Sequence, residues 1–415
     1  MRITILTPYY PPEMGAPPAR LSELAIILKA SGHEVTVVTA FPNRPQGRII
    51  EGYRSRWRMM ETMEELRVIR TWIIPSAASA SFLNRLVTDL SFMFSSGLMT
   101  ARLLGRQDVL IVQNPPVFSV FSARYLKLRT GAKVVIWCGD VWPDVLIQSG
   151  QLANGFKAKL MRRVQKYGFK HSDLVALTNP TIAEEIKKTY QCSPVTVWSN
   201  GVDTTMFSPS KWSQAVRERF GAADGDLLIG YMGLHGRFQG LDVILDAAEI
   251  LHDWKDLHFV FIGEGVEKKR LQEKVKNLRL GNIVFFDQRP KKEIPDIVAS
   301  FDISIVSLLT RMPGTMPSKF YEALASGTIP LTADGCEAAP LVTKFQAGLI
   351  YEPKDAQSAA NAIISFAKMN QANREVMRKN VRDLALRFDR NRLSLFVENT
   401  LNALVEGSKL PDVNW

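Results

Sequence analysis

Short runs of Val, Ile and Leu alternate with longer amphipathic stretches along the whole chain. ITILTP (3–8), EVTVVTA (34–40), DVLIVQ (108–113), KVVIWC (133–138) and DLVALT (173–178) are rich in Val and Ile and apolar on both faces. A strand buried on both sides, as in a parallel sheet, reads this way. A helix is predicted near 18–31, between the first two runs. The alternation resumes after SNGVDTTMFSP (199–209). It continues through LLIGYMG (227–233), HFVFIGEG (258–265), NIVFFDQ (282–288), DISIVS (302–307) and TIPLTA (328–333), with helices over 241–252 and 266–279. Repeated strand–helix–strand units imply a doubly wound sheet. Two successive series predict an α/β chain of two such domains: residues 1–205, residues 206–385, and a C-terminal helix over 386–415 that returns to the first domain.

Length agrees with this division, since 415 residues suit two α/β domains of roughly 150–200 residues each. Apolar residues at 46% and charged residues at 22% describe a core-forming chain rather than a disordered one. Lys and Arg number 52 against 41 Asp and Glu, a net charge of +11 that points to an anionic partner. Cys138, Cys192 and Cys336 form no CxxC pair, which argues for reduced thiols over a zinc site or a disulfide framework. The start, MRITILTPYY, reads as a strand rather than a signal peptide, and no run of about 18 apolar residues is long enough to span a bilayer. The protein is expected to be cytoplasmic.

Residues 81–104 form the most apolar helix candidate, carrying Phe82, Leu83, Leu86, Leu90, Phe94, Leu98 and Met99, with Arg85, Asp89 and Arg102 interrupting. Two readings stand: an ordinary buried helix, or one that faces a membrane or lines an acceptor beside a basic surface. Several chemistries lack their motifs. No GxGxxG follows the first strand, and there is no GxxxxGK[ST], HExxH or GxSxG. The basic charge lacks the aromatic interleaving of a nucleic-acid binder, so no nucleic-acid partner is expected.

In open parallel sheets ligands bind beyond the carboxyl ends of the strands, which directs attention to the loops there. Gly15 sits in the turn after the first strand, where a glycine lets backbone amides approach a phosphate or sugar hydroxyl. GLHGRFQG (233–240) follows a strand and precedes a helix, the setting of an anion site, with Gly233, Arg237 and Gln239 in it. PSKFYEALASG (317–327) reads as a helix start: Ser318 as cap, Lys319 as added charge, Glu322 in the first turns. VVIWCGDVWPD (134–144) ends a strand with Asp140, near Trp142 and Asp144. Asp140 is read as a proton acceptor, a stabiliser of developing positive charge, a ligand of a hydroxyl, or a helix cap.

Four segments together, TPYYPPEMGAPPARLSELAIIL (7–28), WSNGVDTTMF (198–207), GYMGLHGRFQGLDVILDAAEIL (230–251) and PSKFYEALASGTIPL (317–331) followed by GCEAAPLV (335–342), resemble the retaining family four of the GT-B nucleotide-sugar glycosyltransferases. The subgroup they look most like builds bacterial O-antigen and capsule polysaccharides, with L-fucosamine-type transferases nearest. The resemblance implies two Rossmann-like domains facing each other across a cleft, the first binding acceptor and the second a UDP-sugar. It gives Glu322 the ribose hydroxyls, the loop at Gln288 and Arg289 the uracil edge, and Gly314 and Glu337 the donor sugar. The family's usual diphosphate-binding Arg and Lys fall on Leu234 and Gln239, so Arg237 and Lys319 are expected to supply the charge, and the upstream Glu of the family's pair falls on Gly314. The activity implied is metal-independent, retaining transfer of a sugar, an N-acetylated amino sugar by resemblance, from UDP to a lipid-linked or polysaccharide acceptor at the inner membrane face. No cofactor is implied beyond the donor, and an anionic membrane surface is the expected partner. Alternatives are a nucleotide-sugar epimerase on the same fold and a non-catalytic scaffold that kept the fold.

Overall fold

In the computed structural model, which describes residues 1–44, 46–54, 56–77, 82–148, 152–192, 194–310 and 316–413, the apolar runs become the interiors of two sheets. The strands of the first are β1 (Arg2–Leu6), β2 (Glu34–Ala40), β3 (Arg58–Met63), β4 (Leu66–Thr71), β5 (Val109–Asn114), β6 (Lys133–Cys138), β7 (Leu174–Leu177) and β8 (Val195–Val197). Their order is β3-β4-β2-β1-β5-β6-β7-β8, and every pairing is parallel except β3 with β4. Ile5 lies opposite Val37 on one side and Ile111 on the other. One face of this sheet, with Ile3, Ile5, Val37, Val68 and Val135, packs on Leu21, Leu24 and Leu28 of the helix Ala16–Ala30 and on Val397 and Leu401 of the helix Arg390–Glu406. The other face carries the helices Phe82–Leu104, Ser119–Thr130 and Phe156–His171.

The second sheet has β9 (Leu227–Met232), β10 (Leu257–Ile262), β11 (Ile283–Phe286), β12 (Ile303–Val306), β13 (Ile329–Ala333) and β14 (Leu349–Tyr351), all parallel, in the order β11-β10-β9-β12-β13-β14. In each sheet the winding reverses once, between β1 and β5 and between β9 and β12. Crevices at such reversals are where open α/β sheets take ligands.

The chain divides into one unit of residues 1–199 with 393–414 and another of residues 200–392. The boundary thus falls before the expected 205/206, and the second unit runs past the expected end at 385. Hydrogen bonding explains both shifts. Val202 N–H donates to Phe388 O at 3.0 Å and Arg390 N–H to Val202 O at 3.0 Å. Thr204 Oγ1 donates to Asp389 at 2.6 Å, and Arg382 donates to Thr204 O at 3.0 Å and Phe207 O at 3.2 Å. Residues 200–207 therefore belong to the second unit's hydrogen-bond network.

The hairpin of β3 and β4 has no counterpart in the sequence reading. Its turn puts Glu64 and Glu65 at φ of 51° and 59° without a glycine or asparagine to announce it. At the other extreme of packing, a Cβ on Gly230, in the middle of β9, would sit inside the ring of the buried Phe301. Overpacking of this kind costs about 1–3 kcal/mol. Gly230→Ala is expected to lower the unfolding free energy of the second unit by that amount in urea titration, and Phe301→Leu in the same chain to restore part of it.

Candidate functional site

The loops at the β9/β12 reversal are built on backbone contact. Gly233 N–H donates to Ile262 O at 2.9 Å, His235 N–H to Glu264 O at 2.8 Å, and Glu267 N–H to His235 O at 3.0 Å. Both Gly233 and Gly263 have φ of 143°, outside the range of side-chain-bearing residues, and a Cβ on Gly263 would collide with the Gly233 carbonyl. A Cβ on Gly233 would meet Lys319 Cε at 2.5 Å and Nζ at 2.9 Å. The lysine stands in the first turn of the helix Ser318–Ser326, the next element after β12.

Lys319 is half-buried, with Nζ 5.0 Å from the centroid of the Tyr231 ring. Burial lowers its pKa, and Glu322, one turn along, opposes this. Burial likewise raises Glu322, against Lys319, Arg390 and Lys291. Among the described residues no carboxylate forms an ion pair with Lys319. Its neighbours contrast with it: buried Lys268 is held by Glu264 at 2.8 Å and Asp287 at 2.6 Å. Polar atoms left unpaired also gather at these strand ends. Gln239 Oε1 and Ser307 Oγ are buried without hydrogen-bond partners, and among the described residues neither ring nitrogen of the fully buried His235 makes a hydrogen bond.

Arg237 is on the surface, its side chain 81% exposed, with Nε 3.3 Å from Glu267. It stands in the expected loop but is already shared with a carboxylate. Ser318 does not cap its helix: the N-cap is Pro317, with no side-chain cap bond, and Ser318 is the first helical residue, exposed, offering its backbone N–H instead. The reason is register, because Pro317 is held extended (φ −67°, ψ 138°) and the helix starts one residue earlier than a Ser318 cap requires. Gln288 is exposed and Arg289 half-buried beyond β11, Arg289 lying 5.3 Å from the Phe286 ring with its Nε buried and unpaired. Glu337 is buried at the start of the helix Ala338–Phe345, beyond β13. Gly314 lies outside the described residues.

In the first unit, Gly15 is the N-cap of Ala16–Ala30 at φ 139°, and a Cβ there would meet the Pro18 and Pro17 rings at ordinary contact distances of 3.8 and 4.0 Å. Asp140 follows β6, exposed, and precedes Asp144–Gln148 by too much chain to cap it. Desolvation raises its carboxyl pKa and Arg20 opposes this. Arg20 was not legible as a site residue. It stacks on the buried Trp137 ring at 4.3 Å, its guanidinium is 3.5 Å from where a Gly139 Cβ would be, and burial lowers its pKa to about 10. Asp144 is engaged by Arg162 at 2.6 Å. Glu13, buried, accepts from the Asn43 and Arg44 amides at 2.6 and 3.0 Å. Among the described residues no three His, Cys, Asp or Glu side chains gather as metal ligands.

Two family models match nearly end to end: "Glycosyl transferase 4-like domain" over residues 15–228 and "Glycosyl transferases group 1" over residues 213–384. The chain belongs to the glycosyltransferases of the 4-like domain family. WcaI of Escherichia coli (strain K12), named for glycosyl transfer in colanic acid biosynthesis, is 27% identical over 79% of this chain and 82% of its own. WbjE of Pseudomonas aeruginosa, named as a glycosyltransferase, is 25% identical over 69% of this chain and 74% of its own. Among solved structures, sucrose-phosphate synthase from Thermosynechococcus elongatus superposes with a TM-score of 0.77 at 16% identity, over 98% of this chain and all of that one. Anabaena Alr3699/HepE in complex with UDP superposes with a TM-score of 0.71 at 17% identity, over 97% of this chain and all of that one. These neighbours share the GT-B fold.

For a glycosyltransferase, the buried neutral histidine at the β9 loop has a measurable consequence. Burial, then Lys268, lower the His235 pKa from 6.5 to about 4. The unfolded chain therefore binds a proton between those values that the folded one does not, so stability is complete above about 6.5 and declines as pH falls towards 4. Wild type is expected to lose on the order of 2–3 kcal/mol more than His235→Gln between pH 7 and 4 in urea titrations.

Proposed function

We propose that this glycosyltransferase takes a sugar from a UDP-linked donor and transfers it, with retention and without a metal, to a lipid-linked or polysaccharide acceptor. Lys319 carries the reading. It is a half-buried cation at the β9/β12 reversal, beside the exposed first amide of a helix, where an anion gains both a charge and N–H donors. Glycosyl transfer breaks the bond from the sugar's anomeric carbon to the diphosphate oxygen, and that oxygen keeps the electron pair. A cation and helix amides fixed in advance stabilise that developing charge. The acceptor hydroxyl forms the new bond and gives up a proton. Asp140, with its raised pKa beside Arg20, is the proposed group on the acceptor side, as proton acceptor or hydroxyl ligand.

Glu322, three residues past Lys319, is proposed to accept the ribose hydroxyls, and the backbone at Gln288 and Arg289 to meet the base. Gly233, Gln239, Arg237, Gly314 and Glu337 complete the proposed donor site. UDP as the nucleotide is supported by HepE, solved with UDP and with UDP-glucose. A glycan acceptor is supported by the name of WcaI. The amino sugar rests on the subgroup resemblance alone. Relatives from Mycobacterium tuberculosis and Corynebacterium glutamicum named as GDP-mannose-dependent alpha-mannosyltransferases, at 28% and 27% identity over about a third of this chain, make GDP the competing nucleotide.

Calorimetric titration with UDP, GDP and CDP, with and without EDTA, tests the proposal. Micromolar binding of UDP, weaker binding of the others and no effect of EDTA are expected; tighter binding of GDP would reassign the donor. Glu322→Ala is expected to weaken UDP by about 2–3 kcal/mol, roughly 30- to 150-fold, through loss of a charged acceptor. Lys319→Met should weaken it comparably. Unchanged affinity in both folded variants would remove the assigned site.

A further inference from the structure

The helix Phe82–Leu104 is built inside out. Its buried face carries Thr88, Asp89, Ser91, Ser95, Ser96, Gly97 and Thr100, with Phe92, Ala101 and Leu104 as its apolar members. Its exposed face carries Leu83, Val87, Phe94 and Leu98, at 58%, 44%, 60% and 65% exposure. These four recur at intervals that keep them on one stripe. The small inner residues serve close packing. A Cβ on Gly97 would lie 3.3 Å from Ser122 Cβ of the helix Ser119–Thr130, and one on Gly168 of the helix Phe156–His171 would lie 2.9 Å from Val120 Cβ. The three helices therefore form one tightly joined layer, and its outer surface continues with exposed Leu128 and Phe156, at 68% and 78%.

The same layer is one-signed. Its three helices hold eleven Lys and Arg and one acidic residue, Asp89, which is buried. Lys127 and Arg162 are paired with Asp173 and Asp144. Arg129, Lys157, Lys159, Arg163, Lys166 and Lys170 are exposed. No helix among the described residues is long and apolar enough to cross a membrane, so this surface is a face and not a span.

We infer that this face of the first unit docks on an anionic lipid bilayer, with the Leu83–Leu98 stripe entering the headgroup boundary and the lysines and arginines meeting lipid phosphates. An exposed apolar stripe flanked by Lys and Arg is what an interfacial helix requires. Charge decides against a second copy of the chain as occupant, because two such faces would oppose like charges. The inference is independent of the donor and acceptor proposed above.

Co-sedimentation with vesicles tests it, using phosphatidylglycerol mixed with phosphatidylcholine against phosphatidylcholine alone. Wild type is expected to bind the anionic vesicles, and to be released as salt is raised from 0.05 to 0.5 M. Lys159→Glu/Arg163→Glu/Lys166→Glu should lower the partition coefficient at least about 10-fold. Leu83→Ser/Phe94→Ser/Leu98→Ser should lower it comparably, with UDP binding unchanged as a check on folding. Equal binding to both vesicle types, or wild-type binding by the two variants, would overturn the inference. So would a wild-type dimer that the apolar variant dissolves in light scattering, which would make the face a contact between copies, or tighter binding to single-stranded RNA than to the anionic vesicles.

Discussion

Backbone pressed against backbone is the constraint on which the second unit's site depends. The loops after β9 and β10 touch through Gly233 and Gly263, both at φ 143°, with no room for a Cβ between them. That approach turns the β9 loop so that Lys319 Nζ lies where a Gly233 side chain would be. It also seals His235 beneath the loop, neutral because charging it there would cost its hydration. The half-buried Lys319, without an ion pair among the described residues, and the buried His235 thus follow from the same two positions.

Around this point the second unit spends its carboxylates on its other cations. Buried Arg217 bonds Asp302 at 2.8 Å and the Ser300 carbonyl at 2.9 Å, and Lys268 and Arg270 are likewise satisfied by Glu264, Asp287, Asp242 and Glu267. Such pairing is the rule for buried charge. Lys319 departs from it, with a ring face and Glu322 nearby and, among the described residues, no ion pair. A cation left this way is destabilised until an anion arrives, which is the condition for tight anion binding. In the first unit the stack of Arg20 on Trp137 holds a second charge in place beside Asp140.

The three-helix layer of the first unit shows packing and surface chemistry working together. Ser95 donates to the Trp72 carbonyl at 2.5 Å, and Ser91 donates to Thr88 O at 2.7 Å while accepting from the Ile74 amide at 2.9 Å. Hydroxyls so satisfied pack inside a layer at little cost. The bulky apolar residues displaced from the interior end up on the surface, in a layer whose three helices carry no exposed acidic residue.

Sequence pattern by itself determined the alternation of strands and helices, the two parallel sheets and the glycosyltransferase family, because strands buried on both faces admit little but Val, Ile and Leu and because the quoted motifs sit at fixed places in the fold. It also placed Lys319 and Glu322 one helical turn apart. Tertiary structure decided what spacing cannot carry. The hairpin at Glu64–Glu65 hides behind a turn with no glycine, and the unit boundary is set by bonds between residues 200–207 and 382–390, far apart in the chain. Arg20 comes beside Asp140 because β6 brings Trp137 beneath it. Arg237 turns out exposed and shared with Glu267, and Ser318 gives its amide and not its hydroxyl. In the helix at 82–104 the count of apolar residues was legible but their direction was not, because a face is assigned by which neighbours press closest, and Gly97 and the serines let Ser119–Thr130 press on the polar side.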